Sequence, residues 1–256
     1  METPLLRELD GQGVLTLCFH RPEKKNAFNY AMYEELVRAL EEARNRDDVR
    51  VVLLSGAGGF FTSGNDLADF MANPPASEDN VIFQFLFSLV DFEKPLLAAV
   101  EGSAIGIGTT LLLHCDAVFA SPGAKFVLPF VGLGLVPEGG STLLLPALAG
   151  RTLASELLLW GDPFDAEVGH RAGFVSHIVD QPFEVARERA HRLADRPMAS
   201  LIASKRLLRD PLRDDVKEAI RREGRLFAER LTSKEAMEAF KAFFEKRKPD
   251  FRSVEG

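Results

Sequence analysis

A chain of 256 residues can bury a substantial core without disulfides, as one large domain or as one domain with an appendage. With 46% hydrophobic and 27% charged residues it reads as neither disordered nor membrane-like, and a net charge of −7 argues against nucleic acid as a bulk partner. Two cysteines, Cys18 and Cys115, sit in apolar runs and read as buried thiols, while five histidines show no metal-ligand spacing, so no metal site is expected.

The start Met1-Glu2-Thr3-Pro4 lacks the basic stretch and apolar core of a signal peptide. No apolar run reaches the roughly 18 residues of a membrane span, and the end Ser253-Val254-Glu255-Gly256 is no peroxisomal address. A cytoplasmic protein without a membrane partner is the expectation. Basic clusters at 20–25 and 246–248 suit either a solvated surface or a local anion site.

Along the chain, 14–19 is a strand candidate, followed by a helix over 29–46 with Met32, Leu36, Val37, Leu40 and Ala43 on one face. Glu34 and Arg38 are spaced to pair on the opposite face. A buried strand at 49–54 leads into a glycine-rich loop, 79–90 reads as helix, and further strands are expected at 95–100 and 115–120. Strands separated by helical stretches imply an α/β architecture with a βαβ-type sheet. Beyond about residue 141 the pattern turns helical, at 151–160, 165–172, 183–195, 198–209, 213–231 and 233–247. Asp195-Arg196-Pro197 divides a core of residues 1–195 from a helical C-terminal region of residues 196–256.

Three segments are candidates for chemistry. In Phe60-Phe61-Thr62-Ser63-Gly64-Asn65-Asp66-Leu67, glycine at 64 permits a turn that frees the Asn65 N–H, although the same residues suit a plain strand-to-helix turn. Gly106-Ile107-Gly108-Thr109-Thr110 opens a helix whose free N–H groups favour developing negative charge, or else simply packs a helix tightly on a strand. Pro137-Glu138-Gly139-Gly140-Ser141 contains the one formally charged residue between Lys125 and Arg151. An apolar setting raises a carboxyl pKa and makes its ionised form a stronger base. A helix cap or an exposed turn is the plainer alternative. No nucleophile elbow, P-loop or dinucleotide fingerprint is present.

Taken in order, Arg21-Pro22-Glu23-Lys24-Lys25-Asn26-Ala27-Phe28, Phe61-Thr62-Ser63-Gly64-Asn65-Asp66-Leu67, Gly102-Ser103-Ala104-Ile105-Gly106-Ile107-Gly108, Cys115-Asp116 and Phe244-Glu245-Lys246-Arg247-Lys248 resemble the enoyl-CoA hydratase/isomerase (crotonase) superfamily. The resemblance implies a crotonase-like spiral of ββα turns, a helical C-terminal trimerisation region, and a homotrimer or dimer of trimers. It implies an acyl-CoA thioester substrate and no separate cofactor, because coenzyme A is part of the substrate. An oxyanion hole falls on the amides of Asn65 and Ile107. Lys25 and Ala27 would flank the CoA adenine, and Lys246 would meet CoA phosphates. Ser63, Gly64, Asp66, Leu67 and Gly106 belong to the same substrate-binding loops.

Where hydratases of this superfamily carry two glutamates, this chain has Thr110 and Phe130, neither an acid or base near neutral pH. The Pro-Glu-Gly segment instead resembles the peroxisomal-type Δ3,Δ2-enoyl-CoA isomerases, which places the catalytic role on Glu138. Phe130 becomes a candidate for an apolar wall. Hydration, another crotonase reaction such as ring opening or decarboxylation, and non-catalytic acyl-CoA binding are the alternatives.

Overall fold

A computed structural model describes residues 3–72 and 79–254. The readings of both chain ends concern residues partly outside that description.

The chain opens with β1 (Leu5–Leu9) and β2 (Val14–Phe19), an antiparallel pair in which Leu5 faces Phe19 and Leu9 faces Leu15. Helix α1 (Tyr30–Asn45) then crosses to β3 (Val51–Gly56), parallel to β2. Asn29 caps α1 by accepting from the Met32 N–H at 2.9 Å. At the other end Lys94, itself buried, donates to the carbonyls of Ala43, Arg46 and Val49 at 2.6–2.8 Å. The Ala43 and Arg46 carbonyls, at the end of α1, have no acceptor role left within the helix, so Lys94 supplies a partner.

Helices α2 (Leu67–Ala72) and α3 (Val81–Asp91) lead to β4 (Leu96–Val100), again parallel to β3. Next come β5 (Ser103–Ile105), α4 (Ile107–Thr110), β6 (Ala117–Ala120) and β7 (Lys125–Val127). The remainder is α5 (Ser141–Trp160), β8 (Phe164–Asp165), α6 (Ala166–Arg171), β9 (His177–Ile178), α7 (Pro182–Ala194), α8 (Met198–Leu231) and α9 (Lys234–Phe244). Among the described residues the strands form a six-stranded sheet, β1-β2-β3-β4-β6-β9, and a three-stranded sheet, β5-β7-β8.

Strands β3 and β4 are continuous apolar runs because both faces of the large sheet are covered. Val52 and Leu54 point into the main core with α1 and α3, whereas Val51, Leu53, Leu97 and Ala99 pack under Ala186, Ala190 and Ala194 of α7. The small alanine face of α7 lets it lie close on the sheet. The main core also takes in Val216, Ile220 and Phe227 of α8, so the helical C-terminal region shares it.

Several expectations need correction. Segments 198–209 and 213–231 fuse into the single helix α8, with Pro211 inside it. Proline removes an intrahelical bond, but Leu207, Leu208 and Pro211 lie on an exposed face where water can satisfy the freed carbonyl. Two short strands, β8 and β9, interrupt the region expected to be all helical. Arg38 pairs with Glu35 rather than Glu34, and Arg7 of β1 joins Glu35 from the other side. Helix α5 is long and apolar enough to span a membrane by composition, contrary to the sequence reading, but its backbone breaks at Gly150 (φ 74°, ψ 156°).

Candidate active site

Backbone bonding between distant loops builds the site. Asn26 takes a left-handed conformation (φ 56°), and its buried side chain donates to Ala57 O and Phe60 O and accepts from the Arg21 N–H. The 61–66 segment is then laced to the 24–28 segment: Ser63 N–H to Lys25 O, Phe28 N–H to Gly64 O, and Asp66 N–H to Phe28 O, each 2.8–2.9 Å. Arg21 closes the patch, donating to Ala27 O and pairing with Asp66 at 3.1 Å. The expected binding residues Lys25, Ala27, Ser63, Gly64 and Asp66 therefore share one rigid surface. The Asp66 carboxylate serves the fold there, while the Lys25 ammonium lies 5.2 Å from the Phe60 ring centroid. Leu67 begins α2 and packs partly buried against the core.

The same segment meets the second loop. Thr62 N–H donates to Ser103 O and Ile105 N–H to Thr62 O, at 3.0 and 3.1 Å. Gly64 has φ 86°, and a Cβ there would come within 2.7 Å of Ile105 O, so no other residue fits without displacing the second loop. Gly106 (φ 56°) is tied to β7 through Val127 O, and Ile107 follows it as the first residue of α4. Among the described residues the N–H groups of Asn65 and Ile107 have no hydrogen-bond partner. Free donors in two braced, adjoining loops are what an oxyanion requires. Tyr33, fully buried on α1, donates to Asn65 Oδ1 at 2.6 Å and fixes that side chain.

Glu138 stands across a small cavity from Asn65. The cavity holds about 30 Å³ and is otherwise lined chiefly by apolar groups, including Phe70, Ile82, Phe83, Leu86 and Phe227. Among the described residues that line it, Glu138 is the one ionisable group. It keeps some accessibility because it faces that space, yet enclosure of its carboxyl lifts the pKa from 4.5 to about 8. The Thr110 hydroxyl, donating to Glu138 Oε1 at 2.5 Å, opposes the rise, and the negative charge of Glu223 adds to it.

The turn carrying Glu138 is held from both sides. His114 is buried and neutral, its pKa lowered to about 4 by burial, so its Nε2–H donates to Gly139 O at 2.7 Å. Glu223 of α8 accepts from the Gly140 N–H (2.6 Å), the Thr142 N–H (2.9 Å) and the Thr142 hydroxyl (2.5 Å).

Two expected residues fall elsewhere. Phe130 is buried in the core but does not line the cavity, so the apolar wall is made by Phe70, Phe83 and Phe227 instead. Lys246 lies just beyond α9, with its N–H on Phe243 O, and among the described residues no hydrogen bond or ion pair links it to the 21–28 segment. Tyr33, Thr110, His114 and Glu223 were not predicted as supports of the site.

Asn65 lines the cavity that holds Glu138, whereas Ile107, in the adjoining loop, is not among its lining residues. An α/β fold that sets such loops beside an enclosed carboxylate points to the crotonase-type acyl-CoA enzymes. The chain belongs to the enoyl-CoA hydratase/isomerase family, whose sequence profile matches residues 10–254. A 1,2-epoxyphenylacetyl-CoA isomerase of Escherichia coli (strain K12) is 36% identical over 251 residues, covering 94% of this chain and 95% of the relative. Enoyl-CoA delta isomerase 2 of Rattus norvegicus is 34% identical over 239 residues, covering 90% of this chain and 61% of that longer protein. The crystal structure of an enoyl-CoA hydratase/isomerase from Pseudoalteromonas atlantica T6c superposes with a TM-score of 0.91 at 41% identity, covering 97% of this chain and 99% of the other.

Proposed function

We propose that the protein shifts the double bond of a 3-enoyl-CoA to the 2-position, with Glu138 as the single proton carrier. One observation carries this reading: among the described residues that line the cavity there is one acid, Glu138, in an otherwise largely apolar lining. Ionised Glu138 would take a proton from C2, and the electron pair would spread as a dienolate onto the thioester oxygen. The Asn65 and Ile107 amides would stabilise that oxygen, each by about 3–4 kcal/mol if they act like known oxyanion donors. Protonated Glu138 would then return the proton at C4, leaving the conjugated 2-enoyl-CoA.

Hydration asks for a second acid or base to activate water. In this chain Thr110, at one of the positions where hydratases carry glutamate, is committed to Glu138, and Phe130 at the other is packed in the core. The apolar wall also leaves water few partners. The 1,2-epoxyphenylacetyl-CoA isomerase relative makes a different rearrangement a competing reading for the same single-acid site. Supplying 3-hexenoyl-CoA and 2-hexenoyl-CoA separately, and identifying products by NMR, tests the proposal. Conversion of the 3-enoyl ester without hydration of the 2-enoyl ester supports it. Hydration of the 2-enoyl ester as the principal activity contradicts it.

Self-association through the C-terminal helices is part of the same reading. It is supported by exposed Leu207 and Leu208 on α8 and by Met237, Phe243 and Phe244 on and around α9. In such an assembly Lys246 would serve the CoA of a neighbouring subunit. A cytoplasmic setting and an acyl-CoA as the only organic partner complete it.

A further inference from the structure

We propose that Glu223 is a positioning residue for the proton carrier, clamping the turn that bears Glu138 and holding a fixed negative charge behind it. The inference rests on the single-acid reading of Glu138 and adds to it a second carboxylate that never meets substrate.

The argument starts from the backbone. Gly139 and Gly140 both adopt left-handed conformations, φ 71° and 75°, and such a turn between two glycines has little stiffness of its own. Ser141 then starts α5, whose first N–H groups have no intrahelical acceptors. A capping side chain usually comes from the residue just before the helix, but that position is Gly140, which has none. Glu223 fills the gap from α8, 83 positions away, with both oxygens engaged: Oε2 on the Gly140 N–H, Oε1 on the Thr142 N–H and hydroxyl. All three contacts are donors to Glu223, the pattern of an ionised carboxylate. A simple surface cap needs no burial, whereas Glu223 is 3% exposed and sits beside Gly224, a residue of the cavity wall.

Two consequences follow. Fixing Gly140 and Thr142 fixes the position of Glu138, whose own carbonyl accepts from the Ser141 N–H within the same turn. A buried negative charge nearby also disfavours ionisation of Glu138, strengthening its basicity once ionised. Among the described residues the other polar groups near Glu138 are Tyr33 on α1, Asn65, Thr110 and neutral His114. Burial raises the pKa of Glu223 itself, while its bonds from Thr142 and Gly140 and the positive charge of Arg222 favour its ionised form.

The test compares Glu223→Gln and Glu223→Asp with the unaltered protein. The pH dependence of kcat/KM on 3-hexenoyl-CoA is read together with the split between kcat and KM. Glu223→Gln is expected to move the midpoint of the ascending limb to lower pH by about half a unit or more. It is also expected to lower kcat at least several-fold with KM little changed, and Glu223→Asp should restore the midpoint. Wild-type midpoint and kcat in Glu223→Gln would overturn the proposal and leave Glu223 a cap of α5. If Glu223→Gln does not fold, Thr142→Val removes one of the three bonds while keeping the charge. That variant should lower kcat at an unchanged midpoint, and an unchanged kcat would overturn the positioning role. Should the unaltered protein fail to turn over the 3-enoyl ester, the fault lies with the isomerase reading. Infrared difference titration of the Glu138 carboxyl, assigned with Glu138→Gln, then still reports whether Glu223→Gln shifts its ionisation.

Discussion

Replacing Glu138 with glutamine should make the protein more stable, and increasingly so as the pH rises. In the unfolded chain the carboxyl titrates near 4.5, and in the folded protein burial holds it protonated up to about 8. Between those values the folded state binds the extra proton, so folding stability falls with rising pH, is fully reduced above about 8, and is untouched below 4.5. At about 1.4 kcal/mol per pH unit the gap amounts to about 4–5 kcal/mol as an upper bound. The partial accessibility of Glu138 towards the cavity reduces this, and about 2–4 kcal/mol is the working figure. Glutamine carries no charge and its Oε1 can still accept from Thr110, so it escapes the penalty while keeping that bond. For a chain of this size the gain corresponds to a Tm higher by about 4–16 °C at pH 9, vanishing near pH 4. Calorimetry of both proteins at several pH values makes the comparison. A variant less stable than its parent at pH 9, or a difference independent of pH, would refute the claim that Glu138 is held in a desolvated site.

The same perturbed carboxyl predicts that isomerisation climbs with pH through about 8, since only the ionised fraction, about a tenth at pH 7, can accept the C2 proton. A profile flat between pH 6 and 9 would contradict that. Thr110→Val removes the hydroxyl that favours the charged form of Glu138, so the midpoint should move to higher pH and the rate at pH 7 should fall several-fold. Gly224→Ala would set a Cβ 2.2 Å from Cζ of Phe83, forcing the ring to shift at a cost of about 1–3 kcal/mol, and chain-length preference measured across acyl-CoA esters should change with it. Gly64→Ala should abolish turnover, because the φ of 86° and the approach to Ile105 O leave no room for a methyl group, and loss of CoA-ester binding by calorimetry is the check.

The four inner strands of the large sheet were legible, since parallel strands buried on two faces are written as apolar runs, as at 51–54 and Leu96–Val100, whereas the outer strands Leu5–Leu9 and His177–Ile178 were not expected. Strands of two or three residues, such as Phe164–Asp165 and Ser103–Ile105, are too short to carry any period, so they were missed. The site divides along the same line. Glu138 stood out as a lone charge in an apolar stretch, and Gly64 and Gly106 stood out because tight loops need them. Their supports did not, because nothing local in sequence ties Tyr33 to Asn65, 32 positions on, or Glu223 to Gly140. Phe130 was misplaced for the complementary reason: an aromatic residue in an apolar stretch suits a cavity wall and a closed core equally well, and only the packing decides.

The most direct measurement is the rate of 3-hexenoyl-CoA conversion by Glu138→Gln beside the unaltered protein, with binding of the CoA ester determined for both. The account predicts retained binding and a rate lower by orders of magnitude, since glutamine can neither take the C2 proton nor deliver one to C4. Near-normal turnover in that variant would remove Glu138 from the chemistry and contradict the account at its centre.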